Sequence, residues 1–122
     1  MIIKKCLECG SVIRELESCN CDNCGIKCCD KEMVELKPNE SDGNIEKHKP
    51  IYEVNGDIME IKVDHVMEEE HYIKWISIVN RKKEVTFYFS PEESCFIRHE
   101  YIPGSKIYSY CNKHGLWVSE VK

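Results

Sequence analysis

Seven cysteines fall within the first 29 residues, at positions 6, 9, 19, 21, 24, 28 and 29, with few large apolar side chains among them. A segment of this kind cannot fold on a hydrophobic core, because it has too little apolar surface to offset the entropy of ordering the chain. Thiolates that bind a metal supply the missing free energy, and metal binding then becomes folding. The total of nine cysteines is odd, and Met1-Ile2-Ile3-Lys4-Lys5-Cys6 shows no apolar signal region. Both observations point to reduced thiols and metal in a cytoplasmic protein, not to a secreted disulfide framework.

Two ligand sets can be drawn from these cysteines. Cys6-Leu7-Glu8-Cys9-Gly10 and Cys21-Asp22-Asn23-Cys24-Gly25 are two thiolate knuckles, with the spacing shared by zinc ribbons and rubredoxin-type iron sites. The other set joins Cys6 and Cys9 to the adjacent pair Cys28-Cys29. Neighbouring cysteines reach one ion only through a distorted backbone, so spacing alone favours the knuckles. Spacing does not separate zinc from iron.

Leu36-Lys37-Pro38-Asn39-Glu40-Ser41-Asp42-Gly43-Asn44 is rich in turn formers and reads as a linker or long loop. It divides the chain into a metal-folded segment, 1–37, and a second domain, 38–122. In the second, Met59, Ile61, Val63 and His65 alternate with polar residues, and His71, Ile73, Trp75, Ser77 and Val79 form another such face. Segments 51–54, 85–89, 95–101, 106–111 and 116–121 are rich in β-branched and aromatic residues. About seven short strands separated by turn signals predict a mainly β chain with a compact antiparallel sandwich and no helix.

His48, His65, His71, Cys111 and His114 can surround one metal with four nitrogens and one sulfur. Closed structural zinc sites take four ligands, whereas five ligands dominated by imidazole leave one octahedral position open for chemistry. The net charge of −5 argues against nucleic acid as a partner. The absence of a run of about 18 apolar residues argues against a membrane helix.

The string Cys28-Cys29-x3-Met33-x2-Leu36-x-Pro38-Asn39-x2-Asp42-Gly43-x2-Glu46-Lys47-His48-x-Pro50, followed by Glu70-His71-Tyr72-Ile73-x-Trp75-Ile76 and Cys111-Asn112-x-His114-Gly115-Leu116-Trp117, resembles desulfoferrodoxin, the two-iron form of superoxide reductase. The resemblance covers nearly the whole chain. It implies an immunoglobulin-like β-sandwich that holds Fe²⁺/Fe³⁺ on His48, His65, His71 and His114 with Cys111 as the axial ligand. It also implies a small desulforedoxin-like N-terminal domain whose Cys6, Cys9, Cys28 and Cys29 hold a second iron, or zinc; the set Cys6, Cys9, Cys21 and Cys24 stays as the alternative. The implied activity is reduction of superoxide to hydrogen peroxide with electrons from a rubredoxin-like donor, in a homodimer. Lys47 would attract the anion, and Glu46 would occupy the sixth position of the oxidised iron. Two other readings remain: dismutation at the same iron, and a non-catalytic zinc ribbon joined to a β-sandwich binding module. His99 reads as an exposed residue outside the pattern, Cys95 as a small buried hydrophobe, and Glu68-Glu69-Glu70 as a solvated turn.

Overall fold

The computed structural model describes residues 1–19, 25–41 and 43–122. The chain separates into two units, Met1–Lys37 and Pro38–Lys122. In the first, β1 (Ile2–Lys5) and β2 (Val12–Glu15) pair antiparallel from Ile2↔Glu15 to Lys5↔Val12, so that the Cys6–Cys9 knuckle forms the loop of their hairpin. Two-residue strands β3 (Lys27–Cys28) and β4 (Lys31–Glu32) form a second hairpin, and β5 (Val34–Glu35) pairs with the free side of β1. Among the described residues of this unit, Ile3, Cys6 and Met33 are the buried hydrophobic ones. Packing alone is thus as thin as the composition indicates.

The second unit begins with a loop that is fastened down and not left as a free tether. Asn39 donates its backbone N–H to Leu116 O at 2.9 Å, and its Oδ1 accepts the Val118 N–H at 2.9 Å. Its φ of 66° lies in the left-handed region that asparagine tolerates. A single helical turn, α1 (Ile45–His48), follows where no helix is expected from sequence. Asn44 caps it: its side chain accepts the Glu46 N–H at 2.9 Å, which satisfies one of the unpaired amides of a helix start.

Seven strands complete the unit: β6 (Ile51–Asn55), β7 (Ile58–Lys62), β8 (Ile73–Val79), β9 (Glu84–Tyr88), β10 (Phe96–Glu100), β11 (Lys106–Cys111) and β12 (Gly115–Glu120). They form an antiparallel sheet of order β10-β7-β6 and another of order β12-β11-β8-β9. Met59 and Ile61 of the first sheet pack with Ile73, Ile76, Ile78, Ile107 and Cys111 of the second. This is the two-layered antiparallel sandwich expected from the alternation, of the immunoglobulin-like kind that the resemblance implies. Burying one isoleucine fully contributes roughly 1.5–3 kcal/mol. The larger unit therefore has the packing energy that the smaller one lacks.

One departure from strict alternation matters for the site. Tyr110 pairs with Trp75, yet the next residue, Cys111, pairs with Ile73, so β8 carries one extra residue there. This bulge turns Ile76 and Ile78, and not Ser77 and Val79, to the core side shared with Ile73. Bulges re-aim side chains at the end of a strand; here Ile73 is the re-aimed residue on β8, while Cys111 keeps the core side that it shares with Ile107 on the unbroken β11. Ser77, fully buried on the other face, shares a 2.6 Å hydrogen bond with Thr86.

Candidate metal centres

Four histidines and one cysteine converge at one end of the sandwich, each offering a ligand atom within 4.8 Å of the others. His48 closes α1, His65 lies in the loop after β7, and His71 stands two residues before the start of β8. Cys111 ends β11. His114 sits in the three-residue loop to β12, which closes through Gly115 at φ 79°, a conformation that glycine adopts without strain.

The nitrogens outline a square. His48 Nε2 lies 2.9 Å from His114 Nδ1 and 3.2 Å from His65 Nε2, and His71 Nε2 lies 3.2 Å from His114 Nδ1. Ring centroids close the figure: neighbours in the order His48, His65, His71, His114 are 4.5–5.0 Å apart, and the His48–His71 diagonal is 6.4 Å. Metal–nitrogen bonds of about 2.1 Å would put adjacent corners of a square about 3.0 Å apart, so the donor set fits a single ion. Cys111 Sγ is 3.4 Å from His65 Nε2 and 3.8 Å from His114 Nδ1, which are opposite corners. Proximity to both puts the sulfur outside the plane of the nitrogens. The backbone N–H of His114 donates to it at 3.4 Å.

The surrounding contacts orient these ligands. His48 Nδ1–H points to Asn44 O at 2.7 Å, leaving Nε2 with its lone pair towards the centre. Buried Ser109 donates to the His48 carbonyl at 2.7 Å. Trp117 stacks on the His48 ring at 5.1 Å, and its Nε1–H donates to His114 O at 3.1 Å. Gly43 lies so close that a Cβ there would sit 3.1 Å from both His48 Cε1 and Trp117 Cζ2. The bulk of Trp117 signals a buried wall in sequence, and Asn44 ahead of an acidic residue signals a helix cap. The fit of Gly43 has no local signal, because it depends on residues about 70 positions away.

Burial lowers the pKa of His48 and His71 and brings that of His65 down to about 4. Crowding by neighbouring imidazoles adds to the effect. These rings are therefore neutral near pH 7, the form that binds metal. In the metal-free fold they remain neutral at pH values where the unfolded chain already takes up protons. Stability is thus fully present above about pH 6.5 and is lost as the pH falls towards 4, by at most about 1.4 kcal/mol per pH unit for each linked proton. Denaturant midpoints of the metal-free protein should accordingly be lower at pH 5 than at pH 7.5.

In the N-terminal unit, the sulfurs of Cys6, Cys9, Cys28 and Cys29 also lie within 4.8 Å of one another. Cys9 Sγ is 3.6 Å from Cys28 Sγ, and Cys28 Sγ is 4.0 Å from Cys29 Sγ. Metal–sulfur bonds of about 2.3 Å give a tetrahedral edge of about 3.8 Å, so this set also fits one ion. The distorted backbone needed by the adjacent pair is present: Cys29 and Asp30 have φ of 55° and 60° and form the two-residue turn between β3 and β4. Backbone amides, that of Cys9 foremost, bring Cys6 down to about 7, whereas hydrogen sharing with the Cys9 and Cys6 sulfurs pushes Cys28 up to about 12. Cys21 and Cys24 of the alternative set lie outside the described residues. Cys19, read from sequence as a reduced thiol, is disulfide-bonded, which satisfies a sulfur that neither ligand set claims.

Glu46 and Lys47 are both exposed on α1, a capped helical turn and not an irregular loop. Lys47 and His65 line one open cavity of about 500 Å³ together with Lys62 and Asp64. Cys95 is buried, its thiol pushed up to about 12 by that burial, and stands one residue before β10. His99 lies outside both clusters and is half-buried, because its position on β10 opposite Met59 turns it towards the covered face of the sheet. Glu68 and His71 exchange backbone hydrogen bonds of 3.0 and 3.1 Å, so the acidic run forms a tight turn that fixes His71. Among the described residues, no helix is long and apolar enough to cross a membrane.

Known proteins are similar to this chain in sequence and in fold. The chain is 37% identical over 125 residues to the desulfoferrodoxin of Syntrophotalea carbinolica, across 97% of this chain and 94% of the relative. It is 30% identical over 100 residues to a superoxide reductase of Pyrococcus abyssi, across 63% of this chain and 87% of the relative. Its fold is similar to that of the superoxide reductase from Treponema pallidum, with a TM-score of 0.70 at 22% identity over 97% of this chain and 98% of that one. The desulfoferrodoxin family model matches residues 40–120, the stretch that builds the sandwich and supplies all five converging ligands. The chain belongs to the desulfoferrodoxin family.

Proposed function

We propose that the protein is a superoxide reductase, which adds one electron and two protons to superoxide, releases hydrogen peroxide and is re-reduced by a rubredoxin-like protein. The observation that carries this reading is the square of imidazole nitrogens with a single sulfur over it, since this donor set leaves the opposite face for a substrate. Iron held there would supply the electron and, as Fe²⁺ with one thiolate, a local charge of +1 towards the anion. His48, His65, His71 and His114 would hold the iron through ring nitrogens, and Cys111, the one anionic donor of the set, would make it easier to oxidise. Lys47, on the rim of the cavity that reaches His65, draws superoxide in. Glu46, exposed on the same helical turn as Lys47, would serve as a further ligand in the oxidised protein. The N-terminal thiolates hold a second iron, or zinc. A cytoplasmic location, a homodimer and a rubredoxin-like donor belong to the same proposal.

The test is to mix anaerobically reduced protein with superoxide and follow both products. One peroxide per superoxide consumed, with no dioxygen released, is the expected result. Dioxygen equal to half the superoxide would mark dismutation, and a colourless protein that leaves superoxide untouched would support the zinc-ribbon binding module. Lys47→Ala should slow second-order capture by about tenfold at low salt. The gap should close towards physiological ionic strength, where an exposed charge is screened beyond about 8–10 Å. Glu46→Ala should leave capture unchanged and alter the spectrum of the oxidised protein. Equal capture rates for wild type and Lys47→Ala at low salt would make Lys47 an ordinary solvated lysine.

A further inference from the structure

Three of the five converging ligands lie on two chain segments that one side chain joins. Asn112 follows Cys111 and precedes His114 by two residues, so it belongs to the β11–β12 loop. Its Oδ1 accepts the Tyr72 N–H at 3.0 Å, and its Nδ2 donates to Glu70 O at 2.9 Å. Its own backbone N–H donates to Tyr72 O at 3.3 Å. His71 is the residue between these two anchor points. The asparagine thus grips the backbone immediately before and after one imidazole ligand, while its own backbone is covalently joined to the thiolate ligand. The primary amide is well suited to this task, because one planar group presents both an acceptor and a donor.

The consequence is geometric. The β8–β11 ladder is interrupted by the bulge at the Cys111 end, so regular pairing of the strands does not by itself set the distance between His71 and the Cys111–His114 loop. The Glu68–His71 bridge fixes the shape of the turn that carries His71, but it contains no atom of that loop. The Asn112 contacts supply the missing link between the two segments.

We infer that Asn112 is a positioning residue that sets His71 against Cys111 and His114 and so tunes the affinity and geometry of the centre. The inference rests on the reading of the five residues as one metal site. Removing a partner that orients metal ligands typically weakens metal binding about 10–100-fold. Asn112→Ala removes both side-chain bonds, while Asn112→Asp keeps the acceptor for Tyr72 and loses the donor to Glu70.

The full-length protein titrated with Co²⁺ under anaerobic conditions tests this, with affinity read by chelator competition and geometry by those visible bands that Cys111→Ser abolishes, which separates this centre from the N-terminal thiolates. Asn80→Ala is the control: Asn80 Oδ1 accepts the Lys82 and Lys83 N–H groups at 2.9 and 3.2 Å in the β8–β9 turn, so its loss costs side-chain hydrogen bonds without touching a ligand's neighbours. The expected result is a fall in affinity of about tenfold or more for Asn112→Ala, a smaller one for Asn112→Asp, shifted bands in both, and no change for Asn80→Ala. Should Asn112→Ala not fold, Asn112→Asp against Asn80→Ala decides alone. Affinity and bands matching wild type in the Asn112 variants overturn the inference. A wild type whose Co²⁺ bands do not depend on Cys111 overturns the reading of the centre itself, and the inference with it.

Discussion

Cys111→Ser should abolish the thiolate absorption of the C-terminal centre and lower superoxide reduction by more than the roughly 10–100-fold typical of losing an outer partner. The side chain is fully buried and supplies the only sulfur among the five converging donors. A serine hydroxyl does not ionise near neutral pH, so the variant offers neither the charge nor the electron push of a thiolate. The N-terminal sulfurs belong to a different unit, and their absorption should survive unchanged. Cys9→Ser should produce the reverse pattern. A buried hydroxyl also costs about 1–3 kcal/mol unless it finds a partner, so the far-ultraviolet circular dichroism of the metal-free variant separates lost metal from lost fold. Loss of both absorptions from either substitution would sink the picture of two independent centres.

The positions of the strands were legible because burial imposes a period of two. Met59, Ile61 and Val63 are at most 5% exposed, as their alternation requires. The same rule misplaces the second half of β8. Nothing in Ile73-Lys74-Trp75-Ile76 announces an extra residue, and the bulge exists because β11 pairs with both sides of it. Strands β1 to β5 are not legible for a related reason: segments of two to four residues leave too few positions for a periodic signal. The gathering of His48, His65, His71, Cys111 and His114 was readable as a set of donor types. Their arrangement as a square was not, since it depends on Asn44, Gly43, Trp117 and Asn112, whose contacts span up to about seventy positions in sequence. A helical turn of four residues at Ile45–His48 is likewise too short for periodicity, and only its cap marks it.

Removing Cys28 or Cys29 should cost the protein its N-terminal metal, whereas Cys21→Ser and Cys24→Ser should leave it in place. Spacing alone points the other way, because adjacent cysteines ordinarily direct their side chains apart. The two-residue turn of Cys29 and Asp30 answers that objection, for positive φ at both positions folds β4 back on β3 and lets Cys28 and Cys29 face the same point. Left-handed backbone is unfavourable for residues other than glycine by roughly 1–2 kcal/mol each, less for aspartate, so an interaction that the turn makes possible has to offset it. A shared metal does so. Without metal the cluster must hold protons, as the elevated Cys28 pKa of about 12 indicates, and metal binding then releases them. Affinity should therefore rise with pH, and loading in weak buffer should acidify the solution. Tetrathiolate absorption, metal per chain and proton release measured together on the four serine variants decide between the ligand sets. Loss of all three signals in Cys28→Ser and Cys29→Ser, with wild-type values in Cys21→Ser and Cys24→Ser, is the expected outcome; the opposite pattern would assign the metal to the two knuckles.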